Sequence, residues 1–196
     1  KTQAILPLRG KILNVANSSS QKYNQNQQLT DLVLALGCGS GEYYIEGNLR
    51  YEKIIIMTDA DVDGAHISAL LMTFFFKEMK QLIENKHLYL AVPPLFKLSQ
   101  GGNVIYAKDE LHKEEIIKKH FNTKSKIDVS RFKGLGEMMP AQLKETTMDP
   151  EKRELLLIEM NMNEDNENIL AVEELMGNKP EARFNFIQKY ANFSNL

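Results

Sequence analysis

Ile54-Ile55-Ile56-Met57-Thr58-Asp59-Ala60-Asp61-Val62-Asp63-Gly64-Ala65-His66 decides the fold of this chain. A short apolar run closed by acids reads as a buried strand, expected over 53–57, whose carboxyl end opens into a loop. From Ile67 to Ile83 apolar residues recur at helical spacing, and Leu70, Leu71, Phe74, Phe75, Met79 and Leu82 form a broad buried stripe. The acids therefore fall where a strand hands over to a helix. Open α/β sheets hold their ligands at that carboxyl edge. Hard carboxylate oxygens there suit Mg²⁺, which takes one or two carboxylates and fills its other positions with water and substrate phosphate.

Plainer readings compete. Asp-x-Asp-x-Asp-Gly also opens an EF-hand loop, which needs a bidentate Glu at its twelfth position. Counted from Asp59 that position is Leu70, and the preceding segment is strand-like. A helix-capping turn accounts for one Asp. Three on alternate residues repel one another unless a cation or a base intervenes. His66 fits a role at a phosphate oxygen and a role in the helix start equally well.

The 196 residues, 43% hydrophobic and 26% charged, suit one sizeable domain or one domain with a small appendix. No apolar run reaches membrane-spanning length, and the start does not read as a leader, so a cytoplasmic protein is expected. The lone Cys38 leaves no disulfide framework and no cysteine-based zinc site. It sits in a glycine-rich loop with no base beside it and reads as structural. The net charge of −2 is unevenly spread. Lys1, Arg9, Lys11 and Lys22 precede the first acid. Lys118, Lys119, Lys124, Lys126, Arg131 and Lys133 form a second basic zone, and from Glu154 to Glu174 every charge is acidic. Such a chain can offer one face to phosphates and another to a partner, although for charge alone ordinary solvated faces are the better explanation.

Residues 18–20 and 24–28 read as loop, and 29–36 as a helix begun near Thr30 and Asp31 and ended by Gly37. Asn85 closes the long helix. A strand over 88–92 ends at Pro93-Pro94, and strand–helix–strand order implies a parallel crossover. Gln100-Gly101-Gly102-Asn103 signals a hairpin between 95–98 and 104–107. A helix over 109–120, a strand over 127–132, a short helix over 141–148 introduced by Pro140, a strand over 155–160 and two helices over 166–176 and 180–191 follow. The expectation is an α/β core with a small helical tail joined near 161–168.

A second constellation is Arg131-Phe132-Lys133-Gly134-Leu135-Gly136-Glu137-Met138. Gly-x-Gly lets a backbone approach a phosphate closely, yet a tight turn explains it as well. It is no Walker loop, and Met139 stands where a dinucleotide fingerprint has its third glycine. Pro7-Leu8-Arg9-Gly10-Lys11 repeats the theme of cations around a glycine. Beside an acidic metal edge, both suggest a site that holds a polyanion.

Ile5 to Asn14 (ILPLRGKILN), Met57 to Ile67, Pro93-Pro94-Leu95 and the twenty residues RFKGLGEMMPAQLKETTMDP from Arg131 to Pro150 occur together and in order. In this the chain resembles the B subunits of bacterial type IIA topoisomerases. Ala141, Lys144 and His87 to Pro94 (HLYLAVPP) resemble the topoisomerase IV branch more than the gyrase branch. The resemblance implies a Rossmann-like Toprim core, with a parallel sheet flanked by helices and a tail that contacts a partner subunit. The corresponding divisions are a basic segment at 1–28, the Toprim core and extension at 29–160, and the tail at 161–196. It implies that Asp59, Asp61 and Asp63 are the catalytic acids, that Asp59 and Asp61 bind Mg²⁺ while Asp63 supports the site or binds through water, and that Arg9, Lys11 and Lys133 lie near DNA. His66, Gly134, Gly136 and Glu137 are further candidates.

The implied activity is double-strand DNA cleavage and religation, coupled to ATP-dependent strand passage. The nucleophilic tyrosine comes from an A subunit, within a tetramer of two A and two B subunits. ATP would bind in an N-terminal domain outside this sequence. The family's Glu-Gly-Asp-Ser-Ala-Gly motif is also missing, and Glu42, Glu46 and Glu52 lack its glycine context. The chain thus reads as a C-terminal fragment, expected to be inactive alone, from a bacterial, chromosome-associated protein. A stand-alone Toprim nuclease and a non-catalytic DNA- or partner-binding module are the rival classes.

Overall fold

The computed structural model describes residues 2–18, 22–23, 25–122, 125–161 and 165–191. In chain order the elements are α1 (Gln27–Leu36), β1 (Ile54–Ile56), α2 (Val62–Glu78), α3 (Gln81–Glu84) and β2 (Leu88–Ala91). Next come β3 (Phe96–Gln100), β4 (Asn103–Ala107), α4 (Glu110–His120), β5 (Asp128–Arg131) and α5 (Pro140–Leu143). The last are β6 (Leu155–Leu157), α6 (Asp165–Met176) and α7 (Pro180–Tyr190). The chain divides into two compact units, one of residues 1–54, 69–88 and 158–196, the other of residues 55–68 and 89–157.

In the first unit, α1 starts two residues ahead of the expected Leu29. The cap is Asn26, whose side chain accepts from the Leu29 N–H at 3.1 Å, rather than Thr30 or Asp31. Gly37 ends the helix at φ 79°, and its N–H closes on the Val33 carbonyl at 3.0 Å. The expected loop at 18–28 thus yields its last two residues to α1. Part of it (19–21 and 24) lies outside the described residues, as do Lys1, Lys124 and residues 162–164 of the expected tail junction. Leu29, Leu32 and Leu36 are buried, as are Phe74, Phe75 and Met79 of the expected stripe. The Phe74 ring stacks on Tyr23 with centroids 6.0 Å apart. In the tail, the side-chain amide of Asn14 donates to the Met176 carbonyl at 2.9 Å.

Within this unit a polar knot ties the loops to His87. His87 Nε2 lies 2.9 Å from Glu46 Oε1, and its Nδ1 lies 2.6 Å from the Glu52 carbonyl oxygen. A carbonyl only accepts, so Nδ1 carries a proton. The Tyr44 hydroxyl donates to Glu46 Oε2. Burial opposes charge on Glu46, but hydrogen bonds from Tyr44, Asn85 and His87 outweigh it and hold the carboxyl below its usual range. Burial and the Glu46 contact push Tyr44 up.

In the second unit, β1, β2 and β6 form one sheet in that order. The α/β class stands, but the expected parallel sheet is corrected at β6, which pairs antiparallel with β2 (Tyr89↔Leu157, Ala91↔Leu155). The chain re-enters the sheet at the end where β2 leaves it, since the Val92 N–H meets the Glu154 carbonyl at 3.1 Å. Returning along β2 from that end makes the pair antiparallel. The expected hairpin is present, with Gln100 opposite Asn103 and β5 paired on the other side of β3. Gly101 (φ 57°) and Gly102 (φ 86°) supply the two left-handed positions that a tight two-residue turn requires. Phe96, Leu98 and Ala107 pack with Ile116 and Phe121 as its core. Asp109 caps α4, accepting from the His112 N–H at 2.7 Å. The short helix from Pro140 runs into a π-helical turn at Lys144–Met148.

The long helix starts at Val62, five residues before the expected Ile67, and pauses between Glu78 and Gln81. Its first turn, Val62-Asp63-Gly64-Ala65, buries no apolar side chain, and Val62 is 85% exposed, so the buried apolar stripe does not mark it.

Leu98→Ala, at a position 0% exposed in β3, should destabilise the protein by about 2–5 kcal/mol in denaturant melts. Glu46 contributes stability that is complete above the ordinary carboxyl value of 4.5 and lost as pH falls through its lower folded value. Glu46→Gln should therefore flatten the acid limb of a Tm–pH profile, and an unchanged limb would rule this out.

Candidate functional site

The acids at the end of β1 meet the second glycine constellation within the second unit. Asp59 is exposed, and its Oδ1 accepts from the Leu135 backbone N–H at 2.7 Å across 76 residues of chain. Gly134 makes this approach possible. Its φ of −162° is open to any residue, so the requirement is space. A Cβ there would lie 2.9 Å from Asp59 Cγ. A Cβ on Gly64 would lie 2.0 Å from the Asp59 carbonyl oxygen. Two missing side chains thus make room for one aspartate. Around Gly136 a Cβ would meet nothing within 4 Å, so packing does not explain that glycine.

The capping reading holds for Asp61. Its Oδ1 accepts from the Gly64 N–H at 2.7 Å, closing the first turn of α2. Capping does not cover Asp59, whose partner is the distant loop. Asp63 and His66 are exposed on the first turns of α2. The EF-hand reading fails on backbone, because helix already begins at Val62 and Leu70 is buried. Behind the acids, the Thr58 and Ser68 hydroxyls share a hydrogen bond of 2.8 Å.

The 133–137 loop is anchored on both sides by buried side chains, Phe132 and Met138. The Phe132 N–H donates to the Leu95 carbonyl at 2.8 Å, which fixes the loop to the segment after Pro93-Pro94. Those prolines, Ala60, Leu95, Phe132 and Leu135 line a small apolar hollow beside Asp59. Lys133 is exposed, and its backbone N–H donates to Glu137 Oε2 at 2.8 Å. Arg131 lies over the Phe96 ring, 5.9 Å from its centroid.

Arg9 and Lys11 belong to the first unit, where both are exposed. The Arg9 N–H donates to Gln28 Oε1 at 2.8 Å, and Ile12 next to them is buried. Cys38 is 1% exposed and burial pushes its thiol up, which fits a structural residue.

The donor set fits a hard cation. Among the described residues no three His, Cys, Asp or Glu side chains form a metal cluster. Asp59 and Asp61 each commit one oxygen to a backbone N–H, and the other takes no hydrogen bond among the described residues. Two exposed aspartates match the one or two carboxylates that Mg²⁺ accepts. Among the described residues, no helix is long and apolar enough to cross a membrane.

Sequence patterns found Asp59, Lys133 and Gly134 separately. They did not reveal the Leu135 amide on Asp59 or the Glu137 carboxylate on the Lys133 amide, because a backbone donor leaves no trace in residue identity.

Comparison with known families gives matches along nearly the whole chain. Residues 1–93 match the Toprim domain, and residues 124–188 match the carboxyl terminus of the DNA gyrase B subunit. The chain is 59% identical over 193 residues to the B subunit of DNA topoisomerase 4 from Bartonella bacilliformis, covering 98% of this chain and 28% of that protein. It is 57% identical over 195 residues to its counterpart from Caulobacter vibrioides, covering 100% of this chain and 28% of that protein. The B subunit of DNA gyrase from Spiroplasma citri is 48% identical over 197 residues, covering 98% of this chain and 30% of that protein. The chain thus spans under a third of the length of these relatives. An acid-bearing strand end, a glycine loop closed onto it and relatives on both branches place the chain in the bacterial type IIA topoisomerase B-subunit family, as its Toprim and carboxyl-terminal regions.

Proposed function

We propose that this chain supplies the metal-holding carboxylates for double-strand DNA cleavage and religation in a type IIA topoisomerase of the topoisomerase IV type. The observation that carries the reading is Asp59, held through Oδ1 by the Leu135 amide while Oδ2 takes no hydrogen bond among the described residues. Asp61 stands two residues on with the same division of its oxygens. These two residues would hold Mg²⁺, with Asp63 in support. When bound, the ion supplies Lewis-acid stabilisation of charge on a phosphate and its leaving oxygen.

The remaining work is positioning. The nucleophile is a tyrosine of a partner A subunit, whose oxygen attacks phosphorus and displaces the DNA 3′-oxygen; religation reverses the exchange. Lys133, exposed on a loop anchored by Phe132 and Met138, offers a cation to the DNA backbone. Arg9 and Lys11 offer two more on the first unit. His66 is available to a phosphate oxygen, and Gly136 leaves open space in the loop. The acidic tail presents Leu170, Phe184 and Ile187 to solvent, an apolar surface suited to cover by the A subunit. ATP would act in the N-terminal part of the longer protein, and strand passage in a cytoplasmic tetramer of two A and two B subunits.

The test uses the full-length protein with its A partner, Mg²⁺ and supercoiled DNA, stopped with denaturant. Wild type should give protein-linked double-strand breaks, and Asp59→Asn should lose them by about 100-fold or more with an unchanged melt. Breaks without linked protein would indicate a metal nuclease instead. Cleavage that survives in Asp59→Asn would remove the metal-site reading.

Lys133→Ala should weaken DNA binding across sequences and lower the slope of log affinity against log salt by about one. A salt slope equal to wild type would take Lys133 off the DNA.

A further inference from the structure

We infer that Glu137 is a positioning residue for Asp59, closing the loop whose amide sets the orientation of that carboxylate. The inference rests on the metal-site reading of Asp59.

An exposed aspartate rotates freely unless something holds it. Asp59 is held on one side by the Leu135 N–H at 2.7 Å and bounded by the bare Cα of Gly134. The donor is only as well placed as its loop. Between the buried anchors Phe132 and Met138 the loop has a single turn of 3-10 helix, Leu135–Glu137. Its backbone hydrogen bonds are long, 3.2 Å from Glu137 N–H to the Gly134 carbonyl and 3.2 Å from Met138 N–H to the Leu135 carbonyl. The shorter closure is the Glu137 carboxylate, which accepts from the Lys133 N–H at 2.8 Å. A charged acceptor on a backbone N–H is stronger than a neutral one. The relay therefore runs from Glu137 to the Lys133 amide, through the closed loop to the Leu135 amide, and so to Asp59. With Oδ1 occupied, Oδ2 is the oxygen left for a cation. Glu137 touches neither the cation nor DNA in this scheme; it acts through Asp59.

A loop staple that merely adds stability would have the same contacts, so the readouts must separate the two roles. In the full-length protein, Mn²⁺ binding is measured by electron paramagnetic resonance, beside thermal melts and hydrogen exchange at the Leu135 amide. Glu137→Ala should weaken Mn²⁺ binding about 10-fold, the usual scale for a residue that orients a ligand, while Glu137→Gln stays within about twofold. Glutamine keeps the accepting oxygen at the same reach. Glu137→Asp keeps the charge but falls a methylene short, and should behave like alanine; it carries the test should the alanine variant fail to fold. Exchange at Leu135 should accelerate in the alanine and aspartate variants only. Wild-type Mn²⁺ affinity in both of these, with binding lost in Asp59→Asn, would overturn the role of Glu137 and leave the metal site standing. Wild-type affinity in Asp59→Asn would overturn the metal site itself, and the inference with it.

Discussion

One hydrogen bond, from the Leu135 amide to Asp59 Oδ1, joins the end of β1 to a loop 76 residues later in the chain. Much of the second unit places these two groups. β1 lies beside β2, whose exit leads through Pro93-Pro94 to β3, and the Leu95 carbonyl holds the Phe132 amide that opens the loop. The β4–β3–β5 sheet and its core of Phe96, Leu98 and Ile116 fix where β5 ends and the loop starts. A shift anywhere along that path moves a donor 2.7 Å from its carboxylate. Hydrogen bonds weaken steeply as distance and angle depart from such values.

Space is the second half of this constraint. Gly64 and Gly134 are both required by Asp59, one by its carbonyl oxygen and the other by its carboxylate. A side chain at either position meets Asp59 at 2.0 or 2.9 Å, well inside contact distance. The acid is therefore seated by shape as well as by a donor. Asp61 has an ordinary local seat, the first turn of α2, and its orientation follows from helix geometry alone. The two proposed ligands are thus positioned by different means, one by nearby sequence and one by tertiary closure.

That difference explains what could be read in advance. Gly37, the Gly101-Gly102 pair, Asp109 and Pro140 each end or begin an element by effects on immediate neighbours, and the expected elements at those places formed. The start of α2 was expected five residues late because its first turn buries no apolar side chain, so the buried stripe carries no mark of it. The direction of β6 depends on which end of the sheet the chain re-enters after a long excursion, and no local pattern encodes that. Likewise, Gly134 read as a glycine of either a phosphate loop or a tight turn, and neither reading foresaw the room it makes for the Asp59 carboxylate. The acids were legible as chemistry because residue type announces charge. Their orientation was not, because it is set by backbone amides.

Charge explains why an acid and a glycine loop so far apart form one working part. A cation held only by two exposed carboxylates would be bound loosely, since each side chain pays rotamer entropy to meet it. Fixing one carboxylate beforehand removes part of that cost, and it does so through a group that carries no charge. A lysine in place of the Leu135 amide would also orient Asp59, but it would bring a positive charge to the proposed cation site. The backbone N–H orients without that repulsion, and the charge that steadies the loop, Glu137, is set one amide further away. The cationic side chain of Lys133 is left exposed on the same loop. One short segment can therefore serve a metal ligand through its main chain and a phosphate through its side chain.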